Sequence, residues 1–315
     1  MPDWSHRHLL DIKSLSQKEI EYIMTKSDFY KKSLSKGLDL SHVLRGKTLV
    51  NLFFENSTRT RASFELAEKH LGANVFNIST SLSSITKGET FFDTLANIES
   101  LGADMLIIRH PSSGILHQWS KKVNISMINA GDGMNEHPSQ ALIDLYTIRE
   151  HKSLKQNLTV AMVGDIVHSR VARSNIWALS KFGITIHLVS SKNMLPNHIK
   201  QKNIKFYTNL KEGLKDADII MLLRVQKERQ ALGFFSSFRD YAKINGLKED
   251  FLTYSKKDVL IMHPGPVNWG VEMAPRLAQS KNCVILDQVK NGIAVRMAIL
   301  DLTHSAINRK QNGIK

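Results

Sequence analysis

Four consecutive side chains that can donate hydrogen bonds follow an apolar stretch of the chain: Ser57, Thr58, Arg59 and Thr60. They stand between a predicted strand and a segment of helical period, where Ser57 or Thr58 can act as the helix N-cap. The start of a helix carries unpaired backbone N–H groups and partial positive charge, to which hydroxyl and guanidinium groups add donors. An ordinary cap followed by surface arginines is the alternative. Four successive donors after a strand favour a binding site for phosphate or another anion.

Further polar residues stand at or just beyond the ends of other predicted strands. They are Arg109, His137, Gln140, Arg170, Arg224, Gln226 and the turn His263-Pro264-Gly265-Pro266. Ligands of open α/β sheets bind beyond the carboxyl ends of the strands, so this placement suits a binding site. Structural alternatives exist: an ion pair for Arg109, a hydrogen-bonded histidine near a helix start for His137, and a solvated charged loop for Arg224.

The segment Phe53-Phe54-Glu55 followed by Ser57–Arg61 resembles the carbamoyl phosphate motif of the aspartate and ornithine carbamoyltransferases. Six motifs match the family in order over nearly the whole chain. The resemblance implies one group of residues that binds carbamoyl phosphate: Ser57, Thr58, Arg59, Thr60, Arg109, His137 and Gln140. It implies a second group that binds the amino acid acceptor: Arg170, Arg224 and Gln226, with the carbonyl groups of Pro264, Gly265 and Pro266 near its amine. Arg61 is expected to be structural.

A polar segment from Ser79 to Thr90 has neither strand nor helix period and, taken alone, is a flexible surface loop. In the family such a loop reaches the active site of a neighbouring subunit. The resemblance implies that Ser83 contacts carbamoyl phosphate there and that Lys87 contacts the acceptor. Each site would then be shared between chains, so a homotrimer is expected. A dodecamer with regulatory chains or dihydroorotase is a further assembly that the sequence leaves open.

L-Aspartate is the expected acceptor. Ornithine enzymes typically carry His-Cys-Leu-Pro in place of His263-Pro264-Gly265-Pro266 and a Ser-Met-Gly loop for their substrate, and neither occurs in this chain. A carbamoyltransferase for another amino acid acceptor, such as ornithine, is the alternative. Trp269 departs from the family, because relatives commonly have arginine at this position. The change is expected to affect the stability or closure of the loop rather than the choice of substrate.

The expected reaction gives N-carbamoyl-L-aspartate and phosphate, a step of de novo pyrimidine synthesis. The two substrates bring about four negative charges, which a cleft tolerates only when they are paired. The residues expected to pair with them are Arg59, Arg109, Arg170, Arg224 and Lys87. The deprotonated amine is expected to attack the carbamoyl carbon directly while donors stabilise the oxyanion. The catalytic set is expected to be Thr60, Lys87, Arg109 and His137, without a cofactor or a metal.

The chain has 315 residues and a formal net charge of +14. Such an excess of basic residues is typical of nucleic-acid-binding proteins, but the lysines are scattered, so a basic surface is the better interpretation and no nucleic-acid partner is expected. No apolar run approaches the roughly 18 residues that span a bilayer, and Met1–Leu10 lacks the apolar core of a signal peptide. A cytoplasmic protein without a membrane partner is expected. The single cysteine, Cys283, excludes an intrachain disulfide.

Apolar runs alternate with segments of helical period, which predicts an α/β fold of two domains, each a mainly parallel sheet flanked by helices. The predicted strands are Thr48–Phe54, Asn74–Ile78, Met105–Ile108, Ile125–Asn129, Thr159–Val163, Ile184–Val189, Lys205–Tyr207, Ile219–Leu223 and Val259–Met262. The predicted helices are Thr60–Leu71, Phe92–Leu101, Gly114–Lys122, Pro138–His151, Arg170–Phe182, Leu210–Lys215 and Gly292–Arg309. The family resemblance implies that residues 1–150 bind carbamoyl phosphate and receive the returning C-terminal helix, 292–315, and that residues 151–291 bind aspartate.

Overall fold

The computed structural model describes residues 4–79, 90–154, 157–197, 199, 201–225 and 237–311. Three predicted site residues, Ser83, Lys87 and Gln226, lie outside the described residues. The chain divides into two compact units, which are residues 1–143 with 290–315, and residues 144–289. Within the described part of the chain, no helix combines the length and the apolar character that crossing a membrane requires.

The first unit contains a four-stranded parallel sheet in the order β2-β1-β3-β4. Its strands are β1 Thr48–Phe53, β2 Asn74–Ser79, β3 Met105–His110 and β4 Ser126–Asp132. Strands β1, β3 and β4 are buried along almost their whole length, as expected for parallel strands covered on both faces. Phe53 pairs with Arg109, so the chain leaves β1 and β3 at the same edge of the sheet.

Five helices precede or follow these strands: α1 Gln17–Ser35, α2 Thr58–His70, α3 Phe91–Ser100, α4 Ile115–Trp119 and α5 Pro138–His151. One apolar core of this unit combines strand residues such as Leu52, Leu106 and Met127 with Leu95 of α3 and Leu116 of α4. Burial of these side chains is the main stabilising contribution to the packing of α3 and α4 on the sheet.

The second unit contains a five-stranded parallel sheet in the order β7-β6-β5-β8-β9. Its strands are β5 Thr159–Val163, β6 Thr185–Val189, β7 Ile204–Tyr207, β8 Ile219–Leu222 and β9 Leu260–Met262. Three helices belong to it: α6 Arg170–Lys181, α7 Leu210–Leu214 and α8 Phe238–Asn245. Its core gathers strand residues such as Ala161, Ile220 and Ile261 with Leu214 of α7.

The last helix, α9, spans Ile285–Gln311, and its residues from 290 onward belong to the first unit. The carboxylate of Asp301 accepts hydrogen bonds from the Tyr30 hydroxyl at 2.8 Å and from the Lys26 amine at 2.9 Å. The Lys31 amine donates to the side chain of Asn291 at 2.8 Å. These contacts between α1 and α9 confirm that the C-terminal helix returns to the first unit.

All nine predicted strands are present, which confirms the predicted α/β fold with two parallel sheets. Among the strands, the largest boundary difference concerns β4, which ends at Asp132 rather than at Asn129. Helix α9 begins at Ile285 rather than at Gly292, and helices α1 and α8 were not predicted. A local signal for α1 was present, because Ser16 and Glu19 form a capping box at its start.

Candidate functional site

Helix α2 begins at Thr58, one short turn after the end of β1. Ser57 occupies the N-cap position, but its hydroxyl makes no capping hydrogen bond, because its ψ of 79° lies well below the extended values usual for this position. Ser57 thus holds the N-cap position that was predicted for Ser57 or Thr58, but without the capping hydrogen bond. The first turn holds no acidic residue, and no described residue forms a hydrogen bond or ion pair with the side chains of Ser57, Thr58, Arg59 or Thr60. The donors at the start of α2 are thus available to an anion.

Arg109 is the penultimate residue of β3, and its side chain is 13% exposed. Its Nε donates to Oε2 of Glu55 at 3.0 Å, and its Nη1 donates to the carbonyl of Ala130 at 3.4 Å. Glu55 lies two residues before Ser57, so the ion pair links the end of β3 to the turn that opens α2. The ion pair considered for Arg109 from the sequence exists, and it fixes the guanidinium beside this turn.

His110 is buried directly after Arg109. Its ring lies against Phe54 and Phe91, with centroid distances of 4.7 Å and 5.0 Å, and its Nδ1 accepts the backbone N–H of Ser112 at 2.9 Å. Burial lowers the pKa of His110, so its imidazole is neutral near pH 7. This neutral ring fixes the backbone immediately after Arg109 and adds no charge to the site.

His137 is buried and stands immediately before α5. Its carbonyl accepts the backbone N–H groups of Gln140 at 3.0 Å and Ala141 at 3.2 Å, and its Nδ1 lies 3.4 Å from the hydroxyl of Ser139. Gln140 follows one turn later and is partly buried. The start of α5 therefore holds both side chains near the edge at which β4 ends.

A buried turn between β4 and α5 sets the position of His137. The carboxyl group of Asp132 accepts hydrogen bonds from the Asn129 amide at 2.8 Å, the Glu136 backbone at 3.1 Å and the Gly114 backbone at 2.7 Å. The carboxyl group of Glu136 accepts the backbone N–H of Ile12 at 2.8 Å. Sequence reasoning did not assign a role to Asp132 or Glu136. The only sequence signal for this turn was the cluster of polar residues within 129–137.

Two arginines follow strands of the second sheet. Arg170 is the first residue of α6 and is buried, and the Ser169 hydroxyl before it accepts the backbone N–H of Ala172 at 3.1 Å. Arg224 lies two residues beyond the end of β8 and is partly buried. Both arginines thus stand at the carboxyl-end edge of this sheet, as predicted.

The turn after β9 is organised by Glu272, which is almost completely buried. One carboxyl oxygen accepts the Val225 backbone N–H at 2.6 Å and the Asn268 amide at 2.7 Å. The other accepts the Asn268 backbone N–H at 2.7 Å and lies 2.9 Å from Nε2 of His263. Glu272 therefore connects the segment that carries Arg224 with the segment that contains Pro264, Gly265 and Pro266.

The bond between Gly265 and Pro266 is cis, and Nδ1 of His263 accepts the backbone N–H of Gly265 at 2.8 Å. Trp269 in the same segment has a side chain that is 49% exposed. Glu272, rather than a basic residue at position 269, thus supplies the hydrogen bonds that order this turn. Sequence reasoning missed Glu272, which lies outside every motif considered.

The described site residues form two groups. At the carboxyl-end edge of the first sheet lie Ser57, Thr58, Arg59, Thr60, Arg109, His137 and Gln140. At the carboxyl-end edge of the second sheet lie Arg170, Arg224, Pro264, Gly265 and Pro266. Each group is basic and suits small anions, and among the described residues no cluster of histidine, cysteine, aspartate and glutamate has the arrangement of a metal site.

Comparison with known proteins matches residues 7–150 to the carbamoyl phosphate-binding domain of the aspartate/ornithine carbamoyltransferases and residues 156–303 to their Asp/Orn-binding domain. The catalytic subunit of aspartate carbamoyltransferase from Acetivibrio thermocellus is 48% identical over 308 residues, covering 98% of this chain and 97% of that protein. The corresponding subunit from Christiangramia forsetii is 48% identical over 302 residues, covering 96% of this chain and 97% of that protein.

Solved structures agree with these sequence matches. Aspartate transcarbamoylase from Trypanosoma cruzi, in complex with carbamoyl phosphate and aspartate, is 28% identical with a TM-score of 0.84, covering 93% of this chain and 95% of that one. Ornithine carbamoyltransferase from Pyrococcus furiosus is 27% identical with a TM-score of 0.86, covering 96% of this chain and 98% of that one. On the matching domains, sequences and folds, the chain belongs to the aspartate/ornithine carbamoyltransferase family.

Proposed function

We propose that this chain transfers the carbamoyl group of carbamoyl phosphate to the amine of L-aspartate, giving N-carbamoyl-L-aspartate and phosphate. The set of open donors at the start of α2 is the observation that carries the proposal, because it suits the phosphate of carbamoyl phosphate. Relatives at 45–48% identity are named as catalytic subunits of aspartate carbamoyltransferase, which favours aspartate over ornithine as the acceptor.

In the first unit, carbamoyl phosphate would bind at the edge where β1, β3 and β4 end. The phosphate would take the backbone N–H groups at the start of α2 and the side chains of Ser57, Thr58 and Arg59. The guanidinium of Arg109 would bind both the phosphate and the carbonyl oxygen. The remaining members of this proposed group are Thr60, His137 and Gln140.

In the second unit, the two carboxylates of aspartate would bind at the edge where β5 and β8 end. Arg170 would bind the α-carboxylate, and Arg224 with Gln226 would bind the side-chain carboxylate. Guanidinium groups suit this role because they contact a carboxylate through two parallel hydrogen bonds. The carbonyl groups of residues 264–266 would lie near the attacking amine. These residues belong to the turn that Glu272 orders.

The proposed reaction is a direct attack of the deprotonated amine on the carbamoyl carbon, which forms the new C–N bond as the bond to phosphate breaks. Negative charge develops on the carbonyl oxygen, and Thr60, Arg109 and His137 would donate hydrogen bonds to it. The departing phosphate can accept the proton of the amine. Catalysis would come from positioning and electrostatic stabilisation, without a covalent intermediate on the protein.

Ser83 and Lys87 are proposed to act in the site of a neighbouring chain, Ser83 on carbamoyl phosphate and Lys87 on aspartate and in catalysis. This sharing requires an assembly of identical chains, which is proposed to be a homotrimer in which each chain gives these residues to the next. The product would enter de novo pyrimidine synthesis. These statements rest on the family resemblance, because residues 80–89 lie outside the described part of the chain.

The experiment that tests the function combines an acceptor panel with a bisubstrate mimic. With carbamoyl phosphate present, product formation is expected with L-aspartate and not with L-ornithine. N-(phosphonacetyl)-L-aspartate, the compound bound in a related aspartate transcarbamoylase from Trypanosoma cruzi, is expected to inhibit competitively with carbamoyl phosphate. Failure of this compound to bind the purified protein would contradict the proposal, and a preference for ornithine would support the alternative acceptor.

A pair of arginine variants tests the proposed phosphate site. Arg59→Ala is expected to raise the KM for carbamoyl phosphate by about tenfold or more, because a charge-assisted contact with phosphate is lost. Arg276→Ala removes an equal charge from an exposed position of the second unit and is the matched control. Equal KM values for the two variants would remove Arg59 from the site.

A further inference from the structure

A pocket of about 460 Å³ opens in the second unit, away from the residues assigned above. It is lined by His151, Lys152, Lys257, Asp258, Leu260, Lys281 and Asn282. Leu260 is the first residue of β9, and the carbonyl of Asn282 accepts the backbone N–H of Ile261 at 2.8 Å. Arg224 and Pro264 follow the carboxyl ends of β8 and β9. The pocket therefore lies at the opposite, amino-end edge of the same sheet.

Ion pairs hold one side of this pocket in place. Lys152 is only 10% exposed at its side chain, and its Nζ lies 2.9 Å from Asp258 and 3.7 Å from the buried carboxylate of Asp218. Lys256 pairs with Asp218 at 2.9 Å, just outside the lining. Lys152 is thus held by two carboxylates, one of which, Asp218, is shared with Lys256.

The remaining cations of the lining are not neutralised in this way. Lys257 and Lys281 are exposed and form no ion pair with any residue that the structure describes. Three lysines of the lining and the adjoining Lys256 stand against three aspartates, Asp258 in the lining and Asp218 and Asp287 beside it, so the net charge is positive even with a neutral His151. Lys256 and Lys257 are adjacent in sequence, but only the fold brings Lys257 into one pocket with Lys152 and Lys281.

We propose that this pocket is a second anion site that binds the phosphate group of a small phosphorylated molecule. Lysine ammonium groups bind phosphate as point charges, and Asn282 is a polar neighbour for the remaining oxygens, whereas Nε2 of His151 already lies 3.2 Å from the Asp287 carboxylate. The volume is typical of small-molecule sites and exceeds what a free phosphate needs, while Leu260 offers a small apolar surface to the rest of the molecule. The site requires neither the residues of the proposed reaction nor its substrates.

The test measures phosphate binding while the proposed active site is blocked. The full-length protein is saturated with N-(phosphonacetyl)-L-aspartate, and bound radiolabelled inorganic phosphate is measured by equilibrium dialysis. One phosphate per chain is expected to remain, and the double variant K257A/K281A is expected to bind it about tenfold or more weakly. The double variant K215A/K248A is the matched control, because it loses the same charge from exposed positions of the same unit outside the pocket.

Ribose 5-phosphate and ribose serve as competitors that identify the source of the phosphate. A phosphorylated molecule is supported as the occupant if ribose 5-phosphate displaces the labelled phosphate at a lower concentration than unlabelled phosphate does, and if ribose does not displace it. Equal affinities of phosphate and ribose 5-phosphate in wild type, both lost in K257A/K281A, support the anion site with free phosphate as its occupant. Equal phosphate binding by wild type and K257A/K281A overturns the proposal. This difference can be measured with or without the blocking compound, so it is independent of the proposed reaction.

Discussion

Glu68 is a fully buried acid on α2, the helix whose start forms the candidate phosphate site. One of its carboxyl oxygens accepts a hydrogen bond from the Asn51 amide at 2.8 Å, and the other accepts none from any described residue. Burial raises the pKa of Glu68 from its ordinary value of 4.5 to about 8, so the folded chain keeps this carboxyl protonated at pH 7. In the unfolded chain the same group is ionised.

Glu68→Gln is therefore expected to stabilise the protein at neutral and alkaline pH. Below pH 4.5 the wild-type carboxyl is protonated in both states, and the variant gains nothing from the lost charge. Between pH 4.5 and about 8 the unfolded wild-type chain releases the proton that the folded chain holds, so wild-type stability falls as the pH rises. At pH 8 the advantage of the variant is expected to reach about 3–5 kcal/mol in the free energy of unfolding.

Urea unfolding of both proteins at pH 5, 6.5 and 8 measures this difference. Glu65→Gln, three residues earlier on the same helix, is the control. A hydrogen bond from Lys69 lowers the pKa of Glu65, so its contribution to stability is present at neutral pH and is lost on acidification. The window of Glu65 lies below pH 4.5, so the effect of Glu65→Gln should stay constant from pH 5 to 8 while the advantage of Glu68→Gln grows. A pH-independent advantage of Glu68→Gln would contradict the buried protonated acid.

The sequence allowed single cationic residues to be placed but not the buried acids, Glu136 and Glu272, that order the turns near the site. Arg109 and Arg224 could be assigned to an edge because the strands before them are short apolar runs. Glu136 contacts a backbone group 124 residues away, and Glu272 contacts one 47 residues away. No local sequence pattern indicates a contact over such a distance along the chain. From the sequence alone, a buried glutamate therefore looks the same as a solvent-exposed one.

At the scale of elements, the two turns that follow β8 and β9 behave as one unit because both depend on Glu272. Its four partners belong to Val225, His263 and Asn268. Val225 is adjacent to Arg224, the proposed ligand of the aspartate side chain, and His263 is adjacent to the proposed carbonyl turn. A change at Glu272 should thus reach both turns without touching a substrate.

Glu272→Gln is expected to raise the KM for aspartate by about tenfold, equivalent to about 1.4 kcal/mol. The amide replaces one accepting oxygen with a donor, so it faces the backbone N–H of Asn268 and can no longer accept its hydrogen bond. Loss of these buried contacts should also lower the free energy of unfolding by about 2–4 kcal/mol. The KM for carbamoyl phosphate should stay unchanged, because its proposed ligands lie on the first sheet.

Steady-state kinetics with each substrate varied in turn measures this split, and thermal unfolding reports the stability. Glu249→Gln, at an exposed position of the same unit, is the matched control. A uniform loss of kcat with both KM values unchanged would show that Glu272 supports the fold without positioning the aspartate site.

Elements differed in how well the sequence predicted them. Strands β3, β5, β8 and β9 were found because short continuous apolar runs are typical of buried parallel strands. Helix α1 was missed even though its capping box is local, since its polar face outweighs the buried residues Ile20, Ile23 and Met24. The start of α9 was placed too late because Ile285–Asn291 carries exposed apolar residues, Leu286 and Val289, that break the helical pattern.

At the scale of the whole molecule, the first unit is discontinuous in sequence, because residues 290–315 join residues 1–143. Composition and periodicity did not reveal this return, and only the family resemblance predicted it. The same holds for the proposed assembly, since a trimer with shared sites leaves no local pattern in one chain. Mixing variants in solution can test the assembly directly.

Two variants disable different parts of the proposed shared site. Arg59→Ala removes a phosphate ligand from the chain that holds the substrates, and Lys87→Ala removes a residue that the neighbouring chain would contribute. Each homotrimer alone is expected to retain little activity. In a ring of three chains that contains both variants, one junction places an intact Arg59 beside an intact Lys87 of the next chain.

Equal amounts of the two variants, unfolded together and reassembled at random, should place about three quarters of the trimers in mixed rings with one restored site each. The mixture is then expected to regain about one quarter of wild-type activity. Activity should rise only after joint reassembly, and a mixture of separately refolded variants is the control. If every site were built within a single chain, no junction could restore it, and an inactive reassembled mixture would exclude sharing of Lys87 between chains.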